Sequence, residues 1–110
     1  MERMRFTEGV ELADERLERV TVARLTRPGS FQAAIFRIAP GGRIARHPAA
    51  APQLLAVLEG SGVVSGGDGV EEPIAAGEAV VWAEGEEHET RSDAGLVALV
   101  LEGPGLTPTG

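Results

Sequence analysis

Short apolar runs divided by glycine- and proline-rich turns set the rhythm of this 110-residue chain. Turn signals fall at Arg27-Pro28-Gly29-Ser30, Ala39-Pro40-Gly41-Gly42, Glu59-Gly60-Ser61-Gly62, Gly66-Gly67-Asp68-Gly69, Ala75-Ala76-Gly77-Glu78 and Gly85. Most intervals match the ~8–12 residues that a short antiparallel strand and its turn occupy. Between them the pattern predicts strands over Val20 to Leu25, Phe31 to Ile38, Leu54 to Leu58, Gly62 to Ser65, Ala79 to Trp82, His88 to Arg91 and Leu96 to Leu101. Some runs are apolar at both parities, as in Leu54-Leu55-Ala56-Val57-Leu58. Successive strand side chains point to opposite faces, so such a run packs a core on one side and another layer on the other. The surplus apolar surface of Leu54 to Leu58 and Leu96 to Leu101 predicts a homodimer that buries an outer sheet face.

The remaining segments carry less pattern. Gly9 to Arg19 reads as a loop or short helix, and Gly103 to Gly110 as a flexible or draped tail. Phe6, Phe31 and Phe36 are expected in the core. Trp82, the only tryptophan, is expected to pack in the core or at a barrel edge. Arg37 is expected to point outward into solvent.

Length predicts one domain over residues 1–110, with its β core over roughly 19–102. The chain has no cysteine, which excludes a disulfide framework and thiolate chemistry. No apolar run approaches the ~20 residues that span a bilayer. Met1-Glu2-Arg3-Met4-Arg5 is not followed by an apolar signal stretch, so a cytoplasmic location is expected. The formal charge is −7, and all positive charge is arginine. That balance argues against nucleic acid and anionic membrane as partners, since both require a basic surface. Glu84, Glu86, Glu87 and Glu89 surround His88 as a solvated acidic rim, or as a rim that draws cations. No Ser-His-Asp order and no phosphate-binding loop is present.

The chemistry concentrates at the only two histidines. His47 follows Gly41 by a five-residue interval, with Ala49, Gln53 and Gly60 after it. His88 lies within Gly77-Glu78-Ala79-Val80-Val81-Trp82-Ala83-Glu84-Gly85-Glu86-Glu87-His88. His47, Ala49 and Gln53 share parity and can face one side of a strand, although Pro48 and Pro52 interrupt the ladder. Two imidazoles on different strands, with an amide oxygen beside them, form a donor set for a divalent cation. Gln53 serves equally as a buried amide that hydrogen-bonds the rings of a metal-free polar pocket.

From Phe31 to Glu102 the pattern resembles the cupin family. That family's first motif reads glycine, five residues, His-x-His, three or four residues, glutamate, six residues, glycine. Gly41, His47 and Gly60 match it, while Ala49 stands at the second histidine and Gln53 at the glutamate. The second motif reads glycine, five residues, Pro-x-Gly, two residues, histidine, three residues, asparagine. Gly77, Gly85 and His88 match it, while Ala83 replaces the proline and Ser92 the asparagine.

The resemblance implies an all-β fold, a small barrel made as a jelly roll of two antiparallel sheets. It also implies a divalent metal (zinc, nickel, manganese or iron) in the barrel mouth, held here by His47, Gln53 and His88. With Ala49 unable to ligate and Gln53 uncharged, the family's set falls to three neutral donors. Glu86, which shares the parity of His88, is the expected substitute carboxylate. The implied activity is binding of, or action on, a small organic molecule. A non-catalytic binding module and a metal-free dimeric scaffold are the alternatives. The pocket wall is expected to be aliphatic, drawn from Leu55, Val57, Ile44 and Val80.

Overall fold

In the computed structural model, which describes residues 1–109, every regular element is a β-strand. Gly110, the end of the predicted tail, lies outside the described residues. The strands are β1 (Leu17–Arg24), β2 (Gln32–Pro48), β3 (Gln53–Ser65), β4 (Glu71–Ala75), β5 (Ala79–Trp82), β6 (Glu87–Ser92) and β7 (Leu96–Glu102). All pairings are antiparallel. β2 pairs β7, β7 pairs β3, β3 pairs β6 and β6 returns to β2, which closes a barrel. β1 extends it beyond β2, and β4 and β5 each pair with β3.

Two strands make this closure possible. Residues Gln32 to Ile38 of β2 pair with β7, and Gly42 to Pro48 pair with β6. In β3, Gln53 to Gly60 pair with β7, and Val63 to Ser65 with β6. Each strand therefore bends from one sheet into the other. The segments around Gly41 and Gly60, which read as turns in sequence, are these bends. The register shifts beside them, at Glu18/Val20 and Val57/Glu59, are bulges that redirect the strand without ending it.

Of the two readings of Gly9 to Arg19 the loop holds as far as Arg16: Val10 bridges Val22, a turn precedes Leu17, and β1 starts there. Two expectations are corrected. β4 was hidden because Glu71-Glu72-Pro73 is charged and contains a proline, which a sheet tolerates on an edge strand. Phe6 and Phe31 are exposed rather than core; Phe36 alone of the three packs against it.

The core is aliphatic apart from Trp82, with Val20, Val22, Ile38, Leu55, Val57, Ala98 and Val100 among its members. Fully burying one such Val or Leu contributes ~1.5–3 kcal/mol relative to leaving it in water. The other parity of β3 and β7 leaves Leu54, Ala56, Leu99 and Leu101 half-buried and Leu58 exposed on the outer face. Arg37 faces the same outer side, and its Nη1 donates to the Phe6 carbonyl at 3.2 Å.

Candidate functional site

The two histidines are direct cross-strand partners, His47 near the end of β2 against His88 at the start of β6. A register shift between Ile44 and His47 produces that alignment. Their ring centroids lie 4.4 Å apart with the planes tilted by 51°. His47 Nδ1 lies 2.7 Å from the Ala45 carbonyl oxygen and His88 Nδ1 3.1 Å from that of Glu86. A carbonyl only accepts, so each Nδ1 carries the proton and donates it. Each Nε2 is then the ring nitrogen turned away from that bond, the arrangement that orients an imidazole as a ligand.

His88 is only 3 % exposed, with Trp82 stacked at 4.5 Å between centroids and a 33° tilt. Burial holds the His88 pKa below its ordinary 6.5, and the neighbouring His47 adds to the depression, while the Glu86 carbonyl opposes it. A neutral His88 with a free Nε2 follows. Trp82 is thus a core residue that also forms a wall of the site.

Gln53 enters the same space from β3. Its cross-strand partners are Trp82 on β5 and Glu102 on β7, so these three form one inward row. A cavity of about 160 Å³ is bounded by both histidines and Gln53 at its polar end. Leu12, Phe36, Ile44, Leu55 and Val100 supply its apolar walls. Leu55 and Ile44 meet the expectation for the wall, whereas Val57 belongs to the core and Val80 packs against it. Gln53 makes no hydrogen bond to either ring among the described residues.

Three charged residues at this cavity were not legible in the sequence. Asp14 and Arg16 close its mouth from the turn before β1, joined by contacts of 2.7 and 3.0 Å. The Arg16 guanidinium holds the Asp14 carboxyl down to about 2. The Ala45 amide donates to the Arg16 carbonyl at 2.7 Å, pinning the turn to β2. Glu102 is the third, at the end of β7. No local pattern marks it; only the pairing of β3 with β7 places it opposite Gln53.

Glu86 does not take the place of the missing carboxylate. Its Oε1 accepts from the Ala83 amide and its Oε2 from the Gly67 amide, both at 2.9 Å. Those bonds hold its pKa below the ordinary carboxylate value and tie it to the turns outside the histidine pair. Ser92, at the asparagine position of the second motif, is structural: its hydroxyl donates to the Ser61 carbonyl and accepts from the Gly95 amide. A larger hollow, about 540 Å³, lies outside the barrel between Arg19, Arg37 and Glu59, and contains neither histidine.

The donor set suits a divalent ion in kind. Imidazole nitrogens are ordinary ligands of such ions, and neither Nε2 is the ring nitrogen that meets a carbonyl. It is small, however. Among the described residues, no three His, Cys, Asp or Glu side chains gather as a metal-holding group.

A closed antiparallel barrel with two histidines on the wall of an interior pocket defines the class of this protein as a small β-barrel with an internal cavity. The chain belongs to the cupin family: the cupin domain of the Cupin_2 type matches residues 34–102. Both histidines and Gln53 fall within the match. No curated protein matches the chain. Among solved structures, a cupin-like protein from Thermotoga maritima superimposes with a TM-score of 0.81 at 19% identity, covering 89% of this chain and 79% of that one. The polyketide cyclase RemF from Streptomyces resistomycificus gives 0.75 at 24% identity, covering 92% and 76%. A predicted oxalate decarboxylase from Thermotoga maritima gives 0.69 at 23% identity, covering 74% and 77%. At these identities the likeness is one of fold. No helix among the described residues is long and apolar enough to cross a membrane.

Proposed function

We propose that this cupin holds a divalent metal ion through His47, His88 and Gln53 and uses the adjoining cavity to bind, or act on, a small organic molecule. The observation that carries the reading is the pairing of the two imidazoles with both Nδ1–H groups committed to carbonyls. When bound, the ion supplies a Lewis acid that polarises a ligand oxygen. The chain's own residues orient and enclose. Trp82 fixes the His88 ring, Leu55, Ile44 and Val100 exclude water from the ligand's apolar part, and Arg16 stands at the mouth beside Asp14. A volume of about 160 Å³ limits the ligand to a small molecule. The names of two structural neighbours, a polyketide cyclase and a predicted oxalate decarboxylase, support small organic substrates without selecting one.

The absence of a three-residue His, Cys, Asp or Glu group among the described residues favours a second reading, a metal-free binding pocket. Titration calorimetry with zinc, nickel, manganese and iron(II) separates the two. Uptake of one ion per chain is expected, and no uptake of any of them leaves the metal-free reading. Gln53→Glu is expected to tighten binding by ~tenfold or more, about 1.4 kcal/mol, because it adds a negative charge beside the cation. If wild type binds tightly and Gln53→Glu leaves the affinity unchanged, Gln53 is not at the ion.

The outer apolar face of β3 and β7 supports a homodimer in this reading. Light scattering at high micromolar concentration is expected to give twice the 11.5 kDa of one chain. A monomer mass there removes the dimer and leaves the cavity reading standing.

A further inference from the structure

We infer that Glu102 is the anionic ligand of this site, supplying from the neighbouring strand the charge that Gln53 lacks. The inference rests on the metal reading above and names a residue outside the two motifs.

The first observation is register. Glu102 and Gln53 are direct partners in the β3–β7 ladder. Side chains directly opposite one another on one face have Cβ atoms ~4.5–5.5 Å apart. A carboxylate at position 102 instead of 53 therefore stays on the same inward row and moves by one strand spacing. A hollow of about 130 Å³ at the barrel mouth has His47, His88, Gln53 and Glu102 on its walls together. Glu102 borders the main cavity as well.

The second observation is that Glu102 is uncommitted. Among the described residues, its carboxylate makes no hydrogen bond and no ion pair. The other carboxylates nearby are engaged, Asp14 by Arg16 and Glu86 by the Ala83 and Gly67 amides. Arg16 borders the same hollow, but Asp14 grips its guanidinium through both carboxylate oxygens. A half-buried carboxylate without a partner loses hydration and gains nothing in return. A cation between it and the rings reverses that balance.

The third is charge. Of the charged side chains on the cavity wall, Asp14 and Arg16 pair with each other, which leaves the Glu102 carboxylate on the same wall as the two rings. That is the complement of a cation. The Glu102 carboxylate rests at the rim, apart from the two rings, since no three such groups are clustered. Holding an ion together with the rings calls for a different rotamer of Glu102, whose carboxylate has no bond to break.

Calorimetric titration with zinc chloride tests the inference on wild type, Glu102→Gln, Glu102→Asp and the double variant Gln53→Glu/Glu102→Gln. Glu102→Gln is expected to weaken binding by ~10–100-fold, Glu102→Asp by less, and the double variant to return within ~threefold of wild type, since the charge has only changed strands. Cobalt(II) gives a second readout: its visible spectrum is expected to change between wild type and Glu102→Gln. If Glu102→Gln fails to fold, Glu102→Asp and the double variant carry the same comparison. Affinity of Glu102→Gln within ~twofold of wild type, with His47→Ala losing binding, overturns Glu102 as a ligand and leaves the two-histidine site intact. A wild type that takes up none of the four metals overturns the metal reading itself, before any Glu102 variant is compared.

Discussion

Replacing His47 with alanine is expected to abolish divalent-metal uptake, weakening it by more than ~100-fold, beyond the 10–100-fold typical of losing a residue behind a ligand. His47 supplies one of the two imidazoles in the cavity. It is also the less buried of the pair, so its removal leaves the packing in place. His88→Ala is expected to remove binding equally and to lower stability as well, because it empties the space against Trp82. Calorimetry for the metal and thermal melting for the fold separate these effects. Detectable zinc binding at near-wild-type affinity in His47→Ala would place the ion elsewhere. The metal-free protein carries a related pH signature. The folded His88 binds its proton less readily than the unfolded one, whose value is 6.5. Its contribution to stability is therefore complete above that value and is lost as pH falls from there towards the depressed folded pKa. Denaturant midpoints measured at pH about 7.5 and about 5.5 are expected to fall on acidification, and to fall less in His88→Gln.

The largest effect on folding is expected at Gly60, where β3 bends between the two sheets. Its φ is +80°, and a Cβ there would collide with the Gly95 carbonyl oxygen and approach the Leu96 Cα at 3.0 Å. Both neighbours are backbone and cannot rotate away. Conformational strain of ~1–3 kcal/mol and overpacking of similar size together give ~2–6 kcal/mol for Gly60→Ala. A domain of this kind has only ~5–15 kcal/mol of stability in all. Gly69→Ala provides the control, since Gly69 also has positive φ (+73°) but nothing within 4 Å of a new Cβ. It is expected to cost ~1 kcal/mol, the strain alone. Equal unfolding free energies for the two variants by chemical denaturation would show that the Gly95 contact does not constrain the bend.

Much of the architecture could be read from the chain because it depends on local pattern. The runs Ala79 to Trp82, His88 to Arg91 and Leu96 to Leu101 match β5, β6 and β7 to within a residue at each end. Their flanking turns carry strong glycine signals. The four motif glycines at 41, 60, 77 and 85 all have φ between +79° and +92°. What failed was the reading of the glycine-rich segments at Gly41 and Gly60 as turns between strands. At Gly41 and Gly60 the chain bends and continues, because strands on both sides remain available for pairing. β4 was missed for the converse reason: a charged, proline-containing edge segment needs a partner strand to reveal it. Phe31 was misassigned because its apolar character is local, while its exposure depends on its place before β2 at the edge of the barrel.

At the candidate site the division is sharper. Residue identity and spacing, together with the resemblance they carry, were enough to nominate His47, Gln53 and His88 and to show that two of the family's ligand positions are substituted. They could not show that the histidines face each other, since that depends on a bulge between Ile44 and His47 that shifts the β2–β6 register. Parity along one strand favoured Glu86, yet the turn at Gly85 carries its carboxylate to the Ala83 and Gly67 amides. Glu102, 49 positions beyond Gln53 in the numbering, became its neighbour only through strand pairing, and Asp14 and Arg16 reached the mouth only because β1 docks on β2. Periodicity and turn chemistry act over a few residues, so the sequence by itself determined the all-β class, the interrupted strands and the two histidines. Which carboxylates and walls surround those histidines is a matter of register between distant strands, and the closed barrel alone decided it.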